Sequence, residues 1–380
     1  MSERKLASIR LVDDITPIED MKFVEYATID GWRVVVQKGS VEKGDLVVYF
    51  EVDSWVPKSL IDMKFGKKPK KNNKPCVFKG IEGQALTSVK ICGHLSQGLI
   101  MRIDDVVEKI PDFKARVQMV NGEDVTDVLG IVKWEEPNTG FGFEIKGVFP
   151  EFITKTDQER VQNIYLPLLK EMLSSSSWEI TEKLDGSSMT VYHYKKSDGE
   201  VQSGVCSRNY DLHEFFKSKG ARNVFWHVAT KYNIIENLAK LGRNLAIQGE
   251  LIGRGISGDL YELLDDEDYY VFDVWDIDNQ VYLSQDERLE LVQTLGLKHV
   301  PVLNNKEFFG DSEQLPDSFS TDDLLQLASR KSLINPNVIA EGIVFKTLNQ
   351  KEFKNGRLLQ SFKVISNDYL TKKKTKKNKN

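Results

Sequence analysis

Short apolar runs separated by turn residues fill the first 125 residues of the chain. Val34 and Val36 alternate with Arg33 and Val35 in the pattern of a half-buried strand. Strands of this kind are predicted within DGWRVVVQKG, GDLVVYFEV, PCVFKGI, SVKICG and GLIMRID, which Gly, Asp, Pro or Asn residues separate. Five to six short strands in about 110 residues are typical of a small closed barrel. We therefore predict an OB-like β-barrel domain over residues 1–125.

Residues 126–170 combine a stretch rich in Pro and Gly with a charged segment, KTDQERVQN. This composition predicts a connector between two domains. Lys155 and Arg160 lie in the connector and are candidate nucleic-acid contacts, because lysine and arginine side chains bind phosphates. A charged helix start would explain both residues equally well.

From residue 171 onward, longer apolar strands mix with helices. Strands are predicted within WEITEKL, SMTVYHYKK, VQSGVCSRN, NLAIQGELIG, YYVFDVWDI, AEGIVFKTL and LQSFKVIS. Apolar residues at three- and four-residue steps predict a helix from about Asp211 to Leu241. A capping box of Ser284 and Glu287, followed by a stop at Gly296, predicts another helix. The predicted fold class is therefore α+β, with a barrel followed by a mixed α+β domain over residues 171–371.

The composition is that of a folded protein, with 40% hydrophobic and 29% charged residues in a chain of 380. No apolar run approaches the roughly 18 residues that a membrane helix needs. The start, MSERKLASIRLVDD, carries charges where a signal peptide is apolar. Cys76, Cys92 and Cys206 form no CxxC pair, which argues against a zinc site and a disulfide framework. We expect an intracellular, cytoplasmic protein without a membrane partner.

The formal net charge is −5, but the positive charge is concentrated in two clusters. One is the segment GKKPKKNNKP at 66–75, which includes Lys67 and Lys68, and the other is a basic tail over 372–380. Blocks of like charge are commonly solvated segments, and they also bind nucleic-acid phosphates. The sequence supports both interpretations equally.

The candidate chemistry begins at EKLDGSS, where Lys183 ends an apolar strand ahead of an Asp-Gly turn. A lysine in this place can be held in a pocket, and its pKa of about 10.4 must fall before the nitrogen can attack phosphorus. Burial and nearby cations or a metal would lower that pKa. The alternative is an exposed lysine beside an ordinary turn.

Five further motifs follow in order, and each places a polar group on or beside a predicted strand. They are SRN at 207–209, QGEL at 248–251, FDVW at 272–275, EGIVFK at 341–346 and SFKV at 361–364. Together with EKLDGSS they resemble the ordered nucleotidyltransferase motifs of covalent lysine ligases and capping enzymes. EKLDGSS, SRN, EGIVFK and SFKVIS are most similar to the RNA ligase 2 group. The preceding barrel and the upstream KTDQERVQN segment resemble the Deinococcus-type RNA ligases, over nearly the whole chain.

The resemblance implies an ATP-grasp-like ligase domain, and the length of the chain bears on the subgroup. DNA ligases and capping enzymes carry an OB domain after the last motif, whereas 17 residues (380 − 363) follow Lys363 here. A second barrel does not fit in that length. The resemblance therefore favours an RNA ligase.

The resemblance also implies roles for the candidate catalytic residues. Lys183 would attack the α-phosphorus of ATP and form a lysyl-AMP phosphoramidate. Glu341 would serve a magnesium or manganese ion, in part through water. Lys363 and Lys346 would neutralise charge on the phosphoryl oxygens and the leaving pyrophosphate.

Nucleotide binding is assigned in the same way. Glu250 would accept hydrogen bonds from the ribose hydroxyls, Phe272 would stack on adenine, and Glu182 would read the adenine edge. Arg208 would contact a phosphate or the ribose. Asp185 and Gly186 are also assigned to the nucleotide site, and Asp185 has three open roles: positioning Lys183, holding metal-bound water, or shaping the turn.

The expected function is an ATP-dependent RNA ligase that joins 3′-hydroxyl and 5′-phosphate ends, at nicks in duplexes, in RNA repair. Its expected partner is RNA or an RNA-containing nicked duplex, and it is expected to act as a monomer. The alternatives are a GTP-dependent capping-type enzyme, a DNA ligase, or a nucleic-acid-binding OB protein with an inactive ligase domain. The barrel aromatics Trp32, Tyr49, Phe50 and Trp55 fit either a binding surface or the barrel core.

Overall fold

The computed structural model describes most of the chain. It covers residues 4–61, 77–134, 144–164, 166–175, 177–214, 223–254, 256, 260–263, 266–306, 319–348 and 361–371. Lys67, Lys68 and the basic tail lie outside the described residues. Backbone contacts divide the chain into two compact units, residues 1–138 with 370–380, and residues 139–369. In the part that is described, no helix has the length and apolar character to cross a membrane.

Among its described residues, the first unit consists mainly of short strands, with two helices between residues 103 and 116. The strands are β1 (Ala7–Leu11), β2 (Asp14–Pro17), β3 (Val24–Ile29), β4 (Trp32–Gln37), β5 (Leu46–Phe50), β6 (Ser54–Pro57), β7 (Val77–Phe78), β8 (Ile81–Ala85), β9 (Val89–Ile91), β10 (His94–Ser96), β11 (Leu99–Arg102) and β12 (Val132–Lys133); the helices are α1 (Ile103–Lys109) and α2 (Phe113–Arg116). They form antiparallel sheets with the orders β1-β5-β11, β2-β3-β4, β12-β6-β8-β7 and β10-β9.

Four large aromatic residues of this unit belong to its core. Trp32, Tyr49, Phe50 and Trp55 are each at most 5% exposed. The alternation predicted for β4 is present in its first half, with Val34 buried and Arg33 exposed, whereas Val35 and Val36 are both half-buried. These four aromatics are therefore core residues and do not form a binding surface.

The second unit is larger and mixed. Its strands are β13 (Ile145–Val148), β14 (Glu159–Arg160), β15 (Trp178–Lys183), β16 (Ser187–Lys195), β17 (Val201–Cys206), β18 (Tyr210–Leu212), β19 (Leu245–Ile252), β20 (Asp268–Asp276), β21 (Val281–Tyr282), β22 (Lys298–His299), β23 (Gly342–Thr347) and β24 (Ser361–Ile365). Its helices are α3 (Leu166–Ser175), α4 (Val224–Lys231), α5 (Ile234–Leu241), α6 (Gln285–Thr294) and α7 (Thr321–Ala328), with a 3-10 turn at Val161–Asn163.

Two sheets organise the second unit. The larger has the order β13-β18-β17-β16-β19-β20-β21, and β22 also pairs with β20. The smaller has the order β14-β24-β23-β15. One apolar core packs α4, α5 and α6 against the larger sheet, and another packs α3 and α7 against the smaller one. The segment predicted as a connector supplies β12 to the first unit and β13, β14 and α3 to the second.

The helix predicted from Asp211 to Leu241 is wrong in its extent. Asp211 lies in β18, and the helical region is divided into α4 and α5. The break falls at Asn233, which has a left-handed φ of 48°, so the apolar spacing continues across a turn that ends the first helix. The capping box of Ser284 and Glu287 is confirmed at the start of α6.

Candidate active site

The smaller sheet presents basic side chains on one face. In its register Lys183 lies opposite Gly342, Lys346 lies opposite Glu179, and Lys363 lies opposite Val344. Residues directly opposite each other project to the same side of a sheet, and residues two apart share a face. The other face carries the buried side chains Ile180, Ile343, Phe345, Phe362 and Val364. Burial of this apolar face directs the three lysines to the opposite side.

Lys183 is held by carboxylates at the end of β15. Its Nζ lies 2.7 Å from Glu341 Oε2, and the two side chains are 24% and 17% exposed. Burial lowers the pKa of Lys183, but the negative charges of Glu341, Glu250 and Asp185 outweigh it and raise the pKa above its ordinary value. The predicted fall in this pKa is therefore not produced by the chain's own residues. The amine is protonated until positive charge compensates the carboxylates.

Close backbone approach fixes the segments on both sides of Lys183. A Cβ at Gly186 would lie 2.3 Å from Leu251 O, and a Cβ at Gly342 would lie 2.0 Å from Val364 O. Glycine is therefore required at both positions. The backbone N–H of Asp185 donates to Tyr261 Oη at 2.8 Å, so the turn itself is anchored whatever the carboxylate of Asp185 does.

Glu250 belongs to the same group of charges. It lies on β19, opposite Ser188. Burial raises its pKa to about 8, with Glu341 and Asp185 adding to the rise and Lys183 opposing it. Three carboxyl groups thus act on one ammonium group, and burial keeps a proton on Glu250 up to about pH 8.

This carboxylate set fits a hard divalent cation. Within the described ranges no group of three His, Cys, Asp or Glu side chains is preformed as a metal site. Magnesium, however, commonly takes only one or two protein carboxylates and completes its shell with water and phosphate oxygens. Glu341, with Glu250 or Asp185, has the oxygen donors for that role, and the unfavourable burial of Glu250 is what a bound cation would relieve.

We predict that Glu250→Gln stabilises the fold at alkaline pH. The folded-state pKa of about 8 lies above the ordinary 4.5, so the folded protein holds a proton that the unfolded chain releases, and the unfolding free energy falls as the pH rises through this window. Removing the charge should add about 1–3 kcal/mol at pH 8.5 and little at pH 5. Urea unfolding of the variant and the wild type at both pH values measures this. A variant less stable than wild type at pH 8.5 would contradict it.

Lys363 lies in a group of cations. Burial lowers its pKa to about 8, and the positive charges of Lys183, Arg160 and Arg208 lower it too, while Asp157 opposes them. Arg160 is the parallel-strand neighbour of Lys363. Arg208 Nη2 and Lys363 Nζ lie 3.3 and 4.0 Å from the same Asp157 oxygen. These cations form a surface suited to a polyphosphate.

Lys155, the other basic residue named from the connector, lies near the SRN motif. Its Nζ donates to Asn209 Oδ1 at 3.2 Å and lies 5.4 Å from the centre of the Phe149 ring. The structure therefore brings Arg160 next to a motif lysine and holds Lys155 at an exposed position beside Asn209.

Phe272 occupies a β-bulge in β20. The register of β20 on β19 shifts between the pairs Gln248 with Asp273 and Gly249 with Val271, so Phe272 is the extra residue. Bulges re-aim side chains and are frequent at active sites. Phe272 is half-buried, and Lys346 Nζ lies 5.7 Å from the centre of its ring.

Glu182 has a different place from its neighbour Lys183. It lies opposite Ile343, on the core side of the sheet, and is 1% exposed. Its Oε2 accepts the backbone N–H of Leu333 at 2.7 Å, and burial raises its pKa. Its side chain therefore anchors the loop at 332–333, at the rear of the sheet that carries Lys183.

Sequence reasoning missed a buried ionic cluster beside the motifs. Arg288 on α6 and Glu179 on β15 lie with Asp273 and Lys346 of the motifs. Neither Arg288 nor Glu179 carries a sequence signal, because a charged residue in a capped helix or at a strand start is normally exposed. The cluster lines a cavity of about 600 Å³, together with Lys155 and the residues 156–158.

Comparison with known proteins identifies the class. A family model for RNA ligase matches residues 176–365, and one for an OB-fold domain matches residues 6–103. No match is found among curated protein sequences. The chain belongs to the RNA ligase family.

Solved structures of an RNA ligase from Naegleria gruberi match over the full length. The structure with pyrophosphate is 40% identical, with 98% of this chain and 99% of that chain covered and a TM-score of 0.72. A glutamate-to-alanine variant of that ligase with ATP and manganese is also 40% identical, with 97% of this chain and 99% of that chain covered and a TM-score of 0.71. A lysine-to-methionine variant with AMP and manganese has the same identity and coverage and a TM-score of 0.72. The chain is thus an RNA ligase enzyme with an N-terminal OB-fold domain and a mixed α+β ligase domain. The predicted RNA ligase family, the α+β fold class and the prediction that the chain is a ligase enzyme are confirmed.

Proposed function

We propose that this ligase uses ATP to join a 3′-hydroxyl to a 5′-phosphate through a lysyl-AMP formed at Lys183. The observation that carries the proposal is that Lys183 lies among both carboxylates and cations. Its Nζ lies 2.7 Å from Glu341 and feels the charge of Glu250. Lys363 lies on the same face of the same sheet, beside Arg160. The related Naegleria gruberi ligase has been solved with ATP or AMP and manganese, which supports ATP as the nucleotide here.

In the first step, Lys183 must lose a proton before its nitrogen attacks. The nearest acceptor is Glu341 Oε2, at 2.7 Å. The new bond joins Nζ to the α-phosphorus, and the bond from that phosphorus to the pyrophosphate oxygen breaks. Lys363 and Arg160 lie where they can neutralise the charge that develops on the leaving group. Glu341 with Glu250 or Asp185 would hold a magnesium or manganese ion, whose positive charge would favour the neutral amine.

The second and third steps transfer AMP and then release it. An oxygen of the RNA 5′-phosphate attacks the AMP phosphorus, and the bond to Lys183 breaks. The 3′-hydroxyl then attacks the activated 5′-phosphorus, and AMP leaves. Both steps are phosphoryl transfers beside the same cations. Lys363 and Arg208 would therefore position the phosphates and neutralise the charge that develops on them.

The proposed substrate is RNA at a nick in a duplex, in the course of RNA repair. Action as a monomer is part of the same proposal. Dependence on ATP supports an intracellular location. The test is a joining assay on nicked duplexes that carry RNA or DNA on either side of the nick. Joining that requires RNA next to the nick is the expected result, whereas equal joining of all-DNA nicks would favour the DNA ligase alternative.

We predict that self-labelling is selective for ATP over GTP. Phe272 offers a ring for stacking, and base stacking on an aromatic ring is worth about 1–3 kcal/mol for any base, so selectivity must come from polar groups that meet the edge of the base. The related ligase is solved with ATP, which supports adenine as the base. The measurement is transfer of label from α-labelled ATP or GTP to denatured protein. Comparable labelling by GTP would favour a capping-type enzyme.

A further inference from the structure

Arg288 is a buried arginine that no nucleotidyltransferase motif contains. It lies in the first turns of α6, and its side chain is 4% exposed. Its Nη2 donates to Glu179 Oε1 at 2.6 Å, and its Nε donates to His299 Nε2 at 3.0 Å. Its Nη1 lies 3.7 Å from Asp273 Oδ1. An arginine is seldom buried to this extent unless its charge is paired, and here the partners come from both sheets.

Lys346 shares this cluster and connects it to the nucleotide pocket. Its Nζ lies 2.8 Å from Asp273 Oδ1 and donates to the backbone oxygen of Phe272. Glu179 is directly opposite Lys346 across the pair of strands. Two cations and two carboxylates are thus buried together: Arg288 contacts Glu179 most closely and Asp273 at a longer distance, whereas Lys346 contacts Asp273.

Loss of Arg288 would change that pairing. A buried carboxylate that loses its cation is strongly destabilised, and Gln285, which also donates to Glu179 at 3.1 Å, brings no charge. The nearest remaining cation would be Lys346, its cross-strand neighbour. Lys346 would then be drawn toward Glu179 and away from Phe272, whose position in a bulge depends on such contacts more than on the strand ladder.

We propose that Arg288 is a positioning residue for the nucleotide. By holding Glu179, it commits Lys346 to the Phe272 carbonyl and to Asp273, and so fixes the ring on which the base stacks. This inference rests on the proposed function, because the base in question is the adenine of ATP bound for transfer to Lys183.

The test measures self-labelling of the full chain at several ATP concentrations. For Arg288→Gln, we expect the ATP concentration at half-maximal rate to rise by about tenfold or more, with the maximal rate within about threefold of wild type. Val292→Ala is the matched control, because Val292 is a buried core residue of the same helix. It should lower the melting temperature and leave the ATP dependence unchanged.

A second variant removes the competing carboxylate as well. In Arg288→Gln with Glu179→Gln, Lys346 has no alternative partner, so the half-maximal ATP concentration should return to within about threefold of wild type. His299 gives an independent signal. Burial and Arg288 lower its pKa to about 4, and NMR titration should show this pKa rising in both variants.

The outcomes separate the possibilities. An unchanged ATP dependence in Arg288→Gln, an equal shift in Val292→Ala, or no recovery in the double variant would each overturn the proposal. If Arg288→Gln does not fold, the double variant Arg288→Met with Glu179→Met is measured instead. A half-maximal ATP concentration near that of the wild type supports the proposal, and a tenfold rise in that concentration overturns it. Failure of the proposed function can be distinguished from failure of this inference, because the wild type itself would then take no label from ATP.

Discussion

Lys183→Ala is expected to abolish labelling by ATP and the joining of ends that are not already adenylylated. The substitution removes the nitrogen that forms the phosphoramidate, and labelling should fall to the detection limit because alanine offers no nucleophile in its place. Lys183 is 24% exposed and contributes little packing. The fold should therefore persist, which circular dichroism and thermal unfolding will show. Labelling is measured with α-labelled ATP after denaturation.

Two further variants make the result specific. Lys183→Arg keeps the positive charge and should also fail, because a guanidinium is not deprotonated in a protein. Lys195→Ala changes an exposed lysine at the end of β16, another strand of the same unit, and should label normally. Retention of label by Lys183→Ala would contradict the assignment of Lys183 as the nucleophile. Failure of Lys195→Ala would show that labelling reports folding and not the nucleophile.

The strands that carry the motifs could be predicted from the sequence, because an apolar run that ends in a polar residue identifies a strand whichever strand it pairs with. Lys183 and Lys363 were named in this way, and the structure places them on one face of one sheet. Register is a long-range property and is not written in a local pattern. For that reason the pairing of Arg160 with Lys363 and the position of Glu182 on the opposite face became visible only in the structure.

The electrostatics of the site illustrate a second limit. Lysine at a strand end suggested a depressed pKa, but the sign depends on which charges surround the ammonium. Three carboxylates raise the pKa of Lys183, while cations and burial lower that of Lys363. These neighbours come from strands as far apart as β15 and β24. The burial of Arg288 likewise depends on a partner far along the chain, Glu179.

A fragment that starts at residue 139 is expected to label itself and to lose most of its joining activity. Lys183 through Lys363 lie in the second unit, which contains its own apolar cores, so it has the composition of a domain that folds alone. The start matters, because β13 (Ile145–Val148) pairs with β18 and a start at residue 150 would remove that edge of the larger sheet. Circular dichroism and cooperative unfolding establish that the fragment is folded before its activity is compared.

Joining is the step in which the OB-fold domain should matter. We expect its basic segment at 66–75 to bind additional phosphates. Its removal should then weaken binding to a nicked duplex and flatten the salt dependence by about one unit of slope for each phosphate that the fragment no longer binds. The measurement is joining of a nick that already carries the adenylylated 5′-phosphate, which bypasses labelling, at several salt concentrations. A fall of about tenfold or more in joining, beside unchanged self-labelling, is the expected contrast. Full joining with an unchanged slope would assign the OB-fold domain another task, and a folded fragment that fails to label would place part of the nucleotide pocket outside residues 139–369.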